Sequence, residues 1–75
     1  MRLVKMGNTV WVFDEDIAFD LSTISNVLET REWEDDEGDA GEWYDVLEFW
    51  RKGEDKYSYI IYSTLEQFYQ KAKEL

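Results

Sequence analysis

Residues 32–43 read EWEDDEGDAGEW: seven carboxylates, no basic residue, and two tryptophans, Trp33 and Trp43. Carboxylates at this density suit three kinds of chemistry. They can act as acid and base on a bound substrate, hold a hard cation, or meet a basic surface. The first has no specific signal, because among 18 acids some pair falls at any chosen distance. The chain has no His and no Cys. That removes His-based triads, cysteine nucleophiles and zinc held by His or Cys. Its four glycines stand apart at 7, 38, 41 and 53, framing neither a phosphate-cradling loop nor a dinucleotide fingerprint. No catalytic residue, no cofactor and no enzymatic activity are expected.

The calcium loop of an EF-hand wants acids or amides at its positions 1, 3 and 5 and glycine at 6. Aligning Gly41 with the sixth position puts Gly38 at the third, and aligning Gly38 there puts Trp33 at the first. Both registers fail. A solvated acidic loop is the favoured reading, with an irregular Ca²⁺ or Mg²⁺ site in residues 34–39 as the lesser alternative.

A basic partner is the use that the charge distribution favours. Residues 14–48 carry fourteen carboxylates against Arg31 alone, while the rest of the chain is mildly basic and the whole has a formal charge of −10. Solubility needs charge spread over a surface. Crowding it costs stability through self-repulsion, and the resulting field repels nucleic acid and anionic membrane while attracting cationic surfaces. The expected partner-binding residues are Glu32, Trp33, Glu34, Asp35, Asp36, Glu37, Asp39, Glu42, Trp43, Asp45 and Glu48. Carboxylates would supply long-range attraction and tryptophans short-range burial. A strand rises about 3.4 Å per residue, close to the axial spacing of phosphates along one DNA strand. Glu32 with Glu34, and Glu42 across to Glu48, could therefore imitate a row of phosphates if those segments are extended. The expected function is a non-enzymatic acidic binding protein, a nucleic-acid mimic that inhibits or neutralises a basic nucleic-acid-binding protein.

The alternative is a small structural or adaptor domain that self-associates through aromatic residues, its acids serving solubility. Four Trp, five Tyr and four Phe in 75 residues exceed what one small sheet can hide. They imply either an aromatic ladder on the second face of a sheet or a homo-oligomer interface.

The elements that must position these groups follow from periodicity. RLVKM-GN-TVWVF predicts two strands around a type II′ turn at Gly7-Asn8, ending at Asp14-Glu15-Asp16. Leu21, Ile24, Val27 and Leu28 stand at helical spacing behind Asp20 or Ser22, predicting a helix over roughly 21–30. Gly38 and Gly41 mark an acidic loop at about 34–42. WYDVLEFWRKG could be helix or strand; pairing with KYSYIIYS through RKGED favours a hairpin. STLEQFYQKAKEL predicts a final helix, with Ser63 and Glu66 as its capping box and Leu65, Phe68, Tyr69, Ala72 and Leu75 as its stripe. The sum is a small α+β domain over residues 1–75, an antiparallel sheet of about four strands with two short helices in ββαββα order. No signal-peptide run and no membrane-length apolar stretch occur, and no cysteine argues for secretion, so a cytoplasmic location is expected.

Overall fold

Gly7 and Asn8 make the expected two-residue turn, with Gly7 at φ +63°, the left-handed conformation that a type II′ turn needs in its first central position. The turn joins β1 (Arg2–Met6) to β2 (Thr9–Asp14). Asp14-Glu15-Asp16 does end the second strand, but only to turn the chain back into a third, β3 (Ile17–Asp20), paired with β2 from Asp14↔Ile17 to Trp11↔Asp20. This strand was not expected. It is four residues long, and Glu15 rather than a Gly or Asn occupies its turn, at φ +21°.

The computed structural model describes residues 1–35, 37–38 and 40–75. In place of the helix over 21–30, Leu21–Thr23 form a single 3₁₀ turn capped by the Asp20 carboxylate, and the chain then extends into β4 (Ile24–Glu34). A bulge explains the misleading spacing. The register slips at Ser25, pairing Ile24 with Arg51 and Asn26 with Trp50, so Ile24 and Val27 share a face three residues apart. Alternation plus one extra residue thus imitates a helical period, while β-branched Ile24, Val27 and Thr30 suit a strand.

β4 pairs with β5 (Glu42–Arg51), and β5 with β6 (Tyr59–Ile61). The strand reading of residues 43–52 therefore holds. The return strand is shorter than KYSYIIYS suggested, and the connection longer than RKGED. The fold is α+β as expected, but among the described residues two three-stranded antiparallel sheets, β1-β2-β3 and β4-β5-β6, replace the single sheet, and one α-helix replaces two.

The sheets share one core. Leu3, Val12 and Phe19 from the first meet Leu47, Phe49 and Ile61 from the second, all buried. Phe19 is the hinge of this contact, with its ring centroid 5.0 Å from Phe49 and stacked 4.2 Å from Tyr59. Each fully buried side chain of this size contributes about 1.5–3 kcal/mol.

Helix α1 (Leu65–Lys73) forms as expected with Lys71 and Lys73 in its last turn, where the dipole favours cations. Its cap lies one residue later than Ser63 and Glu66. The Thr64 hydroxyl accepts from the Gln67 N–H, and the Gln67 side chain accepts from the Thr64 N–H. Glu29 of β4 adds a long-range cap by accepting from the Leu65 N–H at 2.8 Å. Phe68 packs on Phe49 and Ala72 joins the core, whereas Leu65, Tyr69 and Leu75 of the expected stripe stay exposed.

β4 and β5 outlast the core. Beyond the level of Glu29 and Leu47 the inward-facing positions are Arg31, Asp45, Trp33 and Trp43, which no second sheet covers. The result is an elongated body, 47 × 30 × 21 Å, with a radius of gyration of 13.7 Å against about 11 Å for an average domain of this length. Among the described residues no helix is long and apolar enough to cross a membrane.

Candidate interaction face on the β4–β5 arm

Alternation along two paired strands sorts the arm's side chains onto two faces. One face carries Trp33, paired with Trp43, and Arg31, paired with Asp45. The opposite face carries Glu34 opposite Glu42, Glu32 opposite Tyr44, and further down Val46 and Glu48. The expectation that tryptophans and carboxylates work side by side is thus only half met. They occupy the same arm but look in opposite directions.

The tryptophan face is internally satisfied. The two indoles pack edge to face with centroids 5.4 Å apart, and Trp33 Nε1–H donates to Asp35 Oδ1 at 2.7 Å. Arg31 lies 5.4 Å over the Trp43 ring and 3.9 Å from Asp45. Gly41 permits this packing. A Cβ there would stand 2.7 Å from the Trp33 ring and 2.5 Å from the Glu34 carbonyl oxygen, closer than atoms approach. Even so, Trp33 and Trp43 remain about half exposed.

The glutamate face has a different chemistry. Glu34 and Glu42 are directly opposed, a like-charge pairing that destabilises a sheet. Two phenols attend it. Tyr44 donates to Glu42 at 2.8 Å, and Tyr62 donates to Glu34, reaching over β5 from just beyond β6 to β4. The two rings meet edge to face, 5.9 Å apart. Beneath them Val46 is fully buried although it belongs to the face away from the core. Trp50 and Tyr57 also meet edge to face, but Val46 and Glu48 separate this pair from Tyr44 and Tyr62 along β5. The rings therefore stand as two isolated pairs rather than the cross-strand ladder that their excess suggested.

Tyr62 also joins the two acidic stretches of the sequence. The β2–β3 turn reaches it, so Asp14, Glu15 and Asp16 line a shallow cavity of about 190 Å³ with Ile17, Ile60 and Tyr62. The phenol's pKa is pushed up to about 12, first by its hydrogen bond to the Glu34 carboxylate, then by partial desolvation and by the negative charges of Glu34, Glu32 and Glu15. Neutral Tyr62 is the form that can donate, and the surrounding anions hold it neutral.

Of the expected binding residues, the structure brings Glu32, Glu34, Glu42 and Glu48 together on one face and places Trp33, Trp43 and Asp45 on the other. Asp35 and Glu37 lie in the connection between the strands, which runs from 35 to 41 rather than 34 to 42. Asp36 and Asp39, two of the five acids in the 34–39 stretch weighed for a divalent cation, lie outside the described residues. Among the described residues no group of three or more acids is arranged to hold a metal ion. Tyr44, Tyr62 and Glu15 were missed as site residues. The first pair could have been suspected from their place in an aromatic-rich hairpin, but nothing in the sequence joins Glu15 to residue 62.

A larger cavity of about 470 Å³ lies beside the start of α1, with Tyr62, Ser63, Glu66, Gln67, Gln70 and Lys71 among its walls. Its walls mix an acid, Glu66, a base, Lys71, and neutral amides and hydroxyls. No family model matches the chain, and neither the curated proteins nor the solved structures give a match to it.

Proposed function

We propose that this chain is a non-enzymatic, cytoplasmic binding protein. Its glutamate face would occupy the basic groove of a nucleic-acid-binding protein, inhibiting or neutralising it by mimicry. The observation that carries this reading is the opposed pair Glu34–Glu42, kept at the end of the arm with Glu32 and Glu15 close by. A fold does not need such a pair for its own stability, and a basic partner relieves the repulsion on binding. Tyr44 and Tyr62 hold the two carboxylates in place before the partner arrives, which lowers the ordering cost of association.

The spacing refines the mimicry. Carboxylates two residues apart on one face stand ~6.8 Å apart along the strand, twice the ~3.4 Å axial step of phosphates on one DNA strand. Glu32 and Glu34 on β4 therefore imitate alternate phosphates, and Glu42 on the neighbouring strand, ~4.8 Å away, adds a third carboxylate beside Glu34. The tryptophans are not anchors of this contact, since they face the other way.

The test replaces Glu15, Glu32, Glu34 and Glu42 by Gln. Wild type and variant are used as baits in lysate, bound proteins are eluted by rising salt, and captured proteins are assayed for release of labelled DNA when the free chain is added. The reading expects a basic nucleic-acid-binding protein on the wild type alone, eluting at moderate salt and losing its DNA to the chain. Capture that is equal for both baits, or that resists salt, would sink it.

A further inference from the structure

β4 is an edge strand of eleven residues, and among the described residues its outer backbone groups bond to no other main-chain segment. Natural sheets blunt such edges with short strands, prolines, bulges or charges that repel a neighbouring strand. β4 does carry charges, Glu29, Arg31, Glu32 and Glu34, but of both signs, so that they can also meet their opposites. β4 has no Lys and no Pro, and its one bulge lies at its first residues. The side chains along it are mostly exposed, including Leu28 and Trp33 at about half their surface. We propose that this edge is completed by β4 of a second copy, paired antiparallel about a two-fold axis at Thr30.

Symmetry and charge together select that register. Two copies of one edge pair antiparallel only about an axis normal to the sheet, which keeps each face on its own side and forces the axis through one residue paired with itself. An axis at Glu29, Arg31 or Glu32 would set that charge against its own copy, which destabilises a sheet. An axis at Leu28 runs the pairing into the bulge, setting Ser25 opposite Arg31. An axis at Thr30 faces Glu29 with Arg31 of the second copy twice over, Val27 with Trp33 twice and Thr30 with itself, and sets Leu28 against Glu32 and Asn26 against Glu34, with no like charges opposed. Opposite charges, an aromatic on a β-branched side chain and Thr on Thr are the favourable cross-strand pairs. Arg31 is available for this role, since its ion pair with Asp45 is long and its side chain about two-thirds exposed.

The product is a six-stranded sheet, β6-β5-β4-β4-β5-β6. The axis is normal to it, so the glutamate faces of both copies lie on one side and double the acidic surface. The pairing stands or falls independently of what that surface binds.

Cysteine substitution tests it in a chain that has no cysteine of its own. Residues on the axis have Cα atoms about 4.5–5.5 Å apart, within disulfide reach. Thr30→Cys is therefore expected to oxidise rapidly to a covalent dimer. Glu32→Cys is expected to stay reduced, because its two copies lie about 14 Å apart along the strands. Mixing Glu32→Cys with Leu28→Cys chains is expected to restore the cross-link, because those positions face each other. Sedimentation is expected to show two 9.1 kDa chains associating, and Arg31→Glu, with its fold checked by circular dichroism, is expected to weaken association about tenfold or more. A wild type that sediments as a monomer up to millimolar concentration overturns the proposal. So does equal oxidation of Thr30→Cys and Glu32→Cys.

Discussion

The inner and outer halves of the β4–β5 hairpin share one backbone geometry and differ in almost everything else. Towards the base, Val27, Leu47 and Phe49 face a second sheet and a helix, and Leu47 and Phe49 are fully buried. Towards the tip the same face offers Arg31, Asp45, Trp33 and Trp43 to water, while the reverse face sets glutamate against glutamate. The base is held by the hydrophobic effect, which is non-directional and needs only area. The tip has no second layer and relies on directed contacts: edge-to-face rings, phenol-to-carboxylate hydrogen bonds and one cation over an indole. A small domain that extends an arm beyond its core therefore trades burial for specific geometry.

The contrast can be broken most forcefully at the base. Phe49→Ala leaves a cavity between Phe19 and Phe68 and is expected to cost about 3–5 kcal/mol. For a chain of this length that approaches the whole folding free energy, so denaturant titration should find the variant largely unfolded. At the tip, Gly41→Ala drives a methyl group into the Glu34 carbonyl and the Trp33 ring. A loss of about 1–3 kcal/mol is expected, together with loss of the coupled-indole signal in circular dichroism while the Phe49 core stays packed.

The glutamate face should respond in the opposite direction. Glu34→Gln removes the like-charge pair and is expected to stabilise the fold by roughly 0.2–1 kcal/mol. It should also lower the Tyr62 titration from about 12 towards the ordinary phenol value, read by tyrosinate absorbance. The sign follows from linkage. Tyr62 has a higher pKa folded than unfolded, so its contribution is complete below the unfolded pKa near 10 and is lost as pH rises to about 12. The smallest effect belongs to Asp45→Ala. Its ion pair with Arg31 is exposed and 3.9 Å long, and thermal melting is expected to move stability by no more than about 0.5 kcal/mol.

Much of this was legible in the residue order, and the failures have specific causes. Gly7-Asn8 declared its hairpin because left-handed backbone at the first turn position favours glycine. The terminal helix declared itself through its cap and its 3–4 spacing, though Ser63-Thr64 offered two hydroxyls and only packing, with Glu29 bonding to the Leu65 N–H, chose the second. Residues 21–30 misled because the bulge at Ser25 turns a strand's alternation into a helix's interval. β3 was hidden because the acids of residues 14–16 resemble a solvated stop rather than a turn. At the site, the four glutamates of the acidic face were legible by type and alternation. Their company was not, since Tyr62, Glu34 and Glu15 come from three separated segments.

The sequence by itself determined what the chain can be made of: no His or Cys chemistry, an excess of rings, and a segregated negative charge. Those are properties of composition and order, and folding cannot alter them. Only the tertiary structure decided which side of the arm each group faces, which phenol steadies which carboxylate, and that the acids of residues 14–16 reach Tyr62. A strand's side chains change face with every shift of one residue. The register that fixes them is set by pairing with a distant segment and by what the opposite sheet can cover.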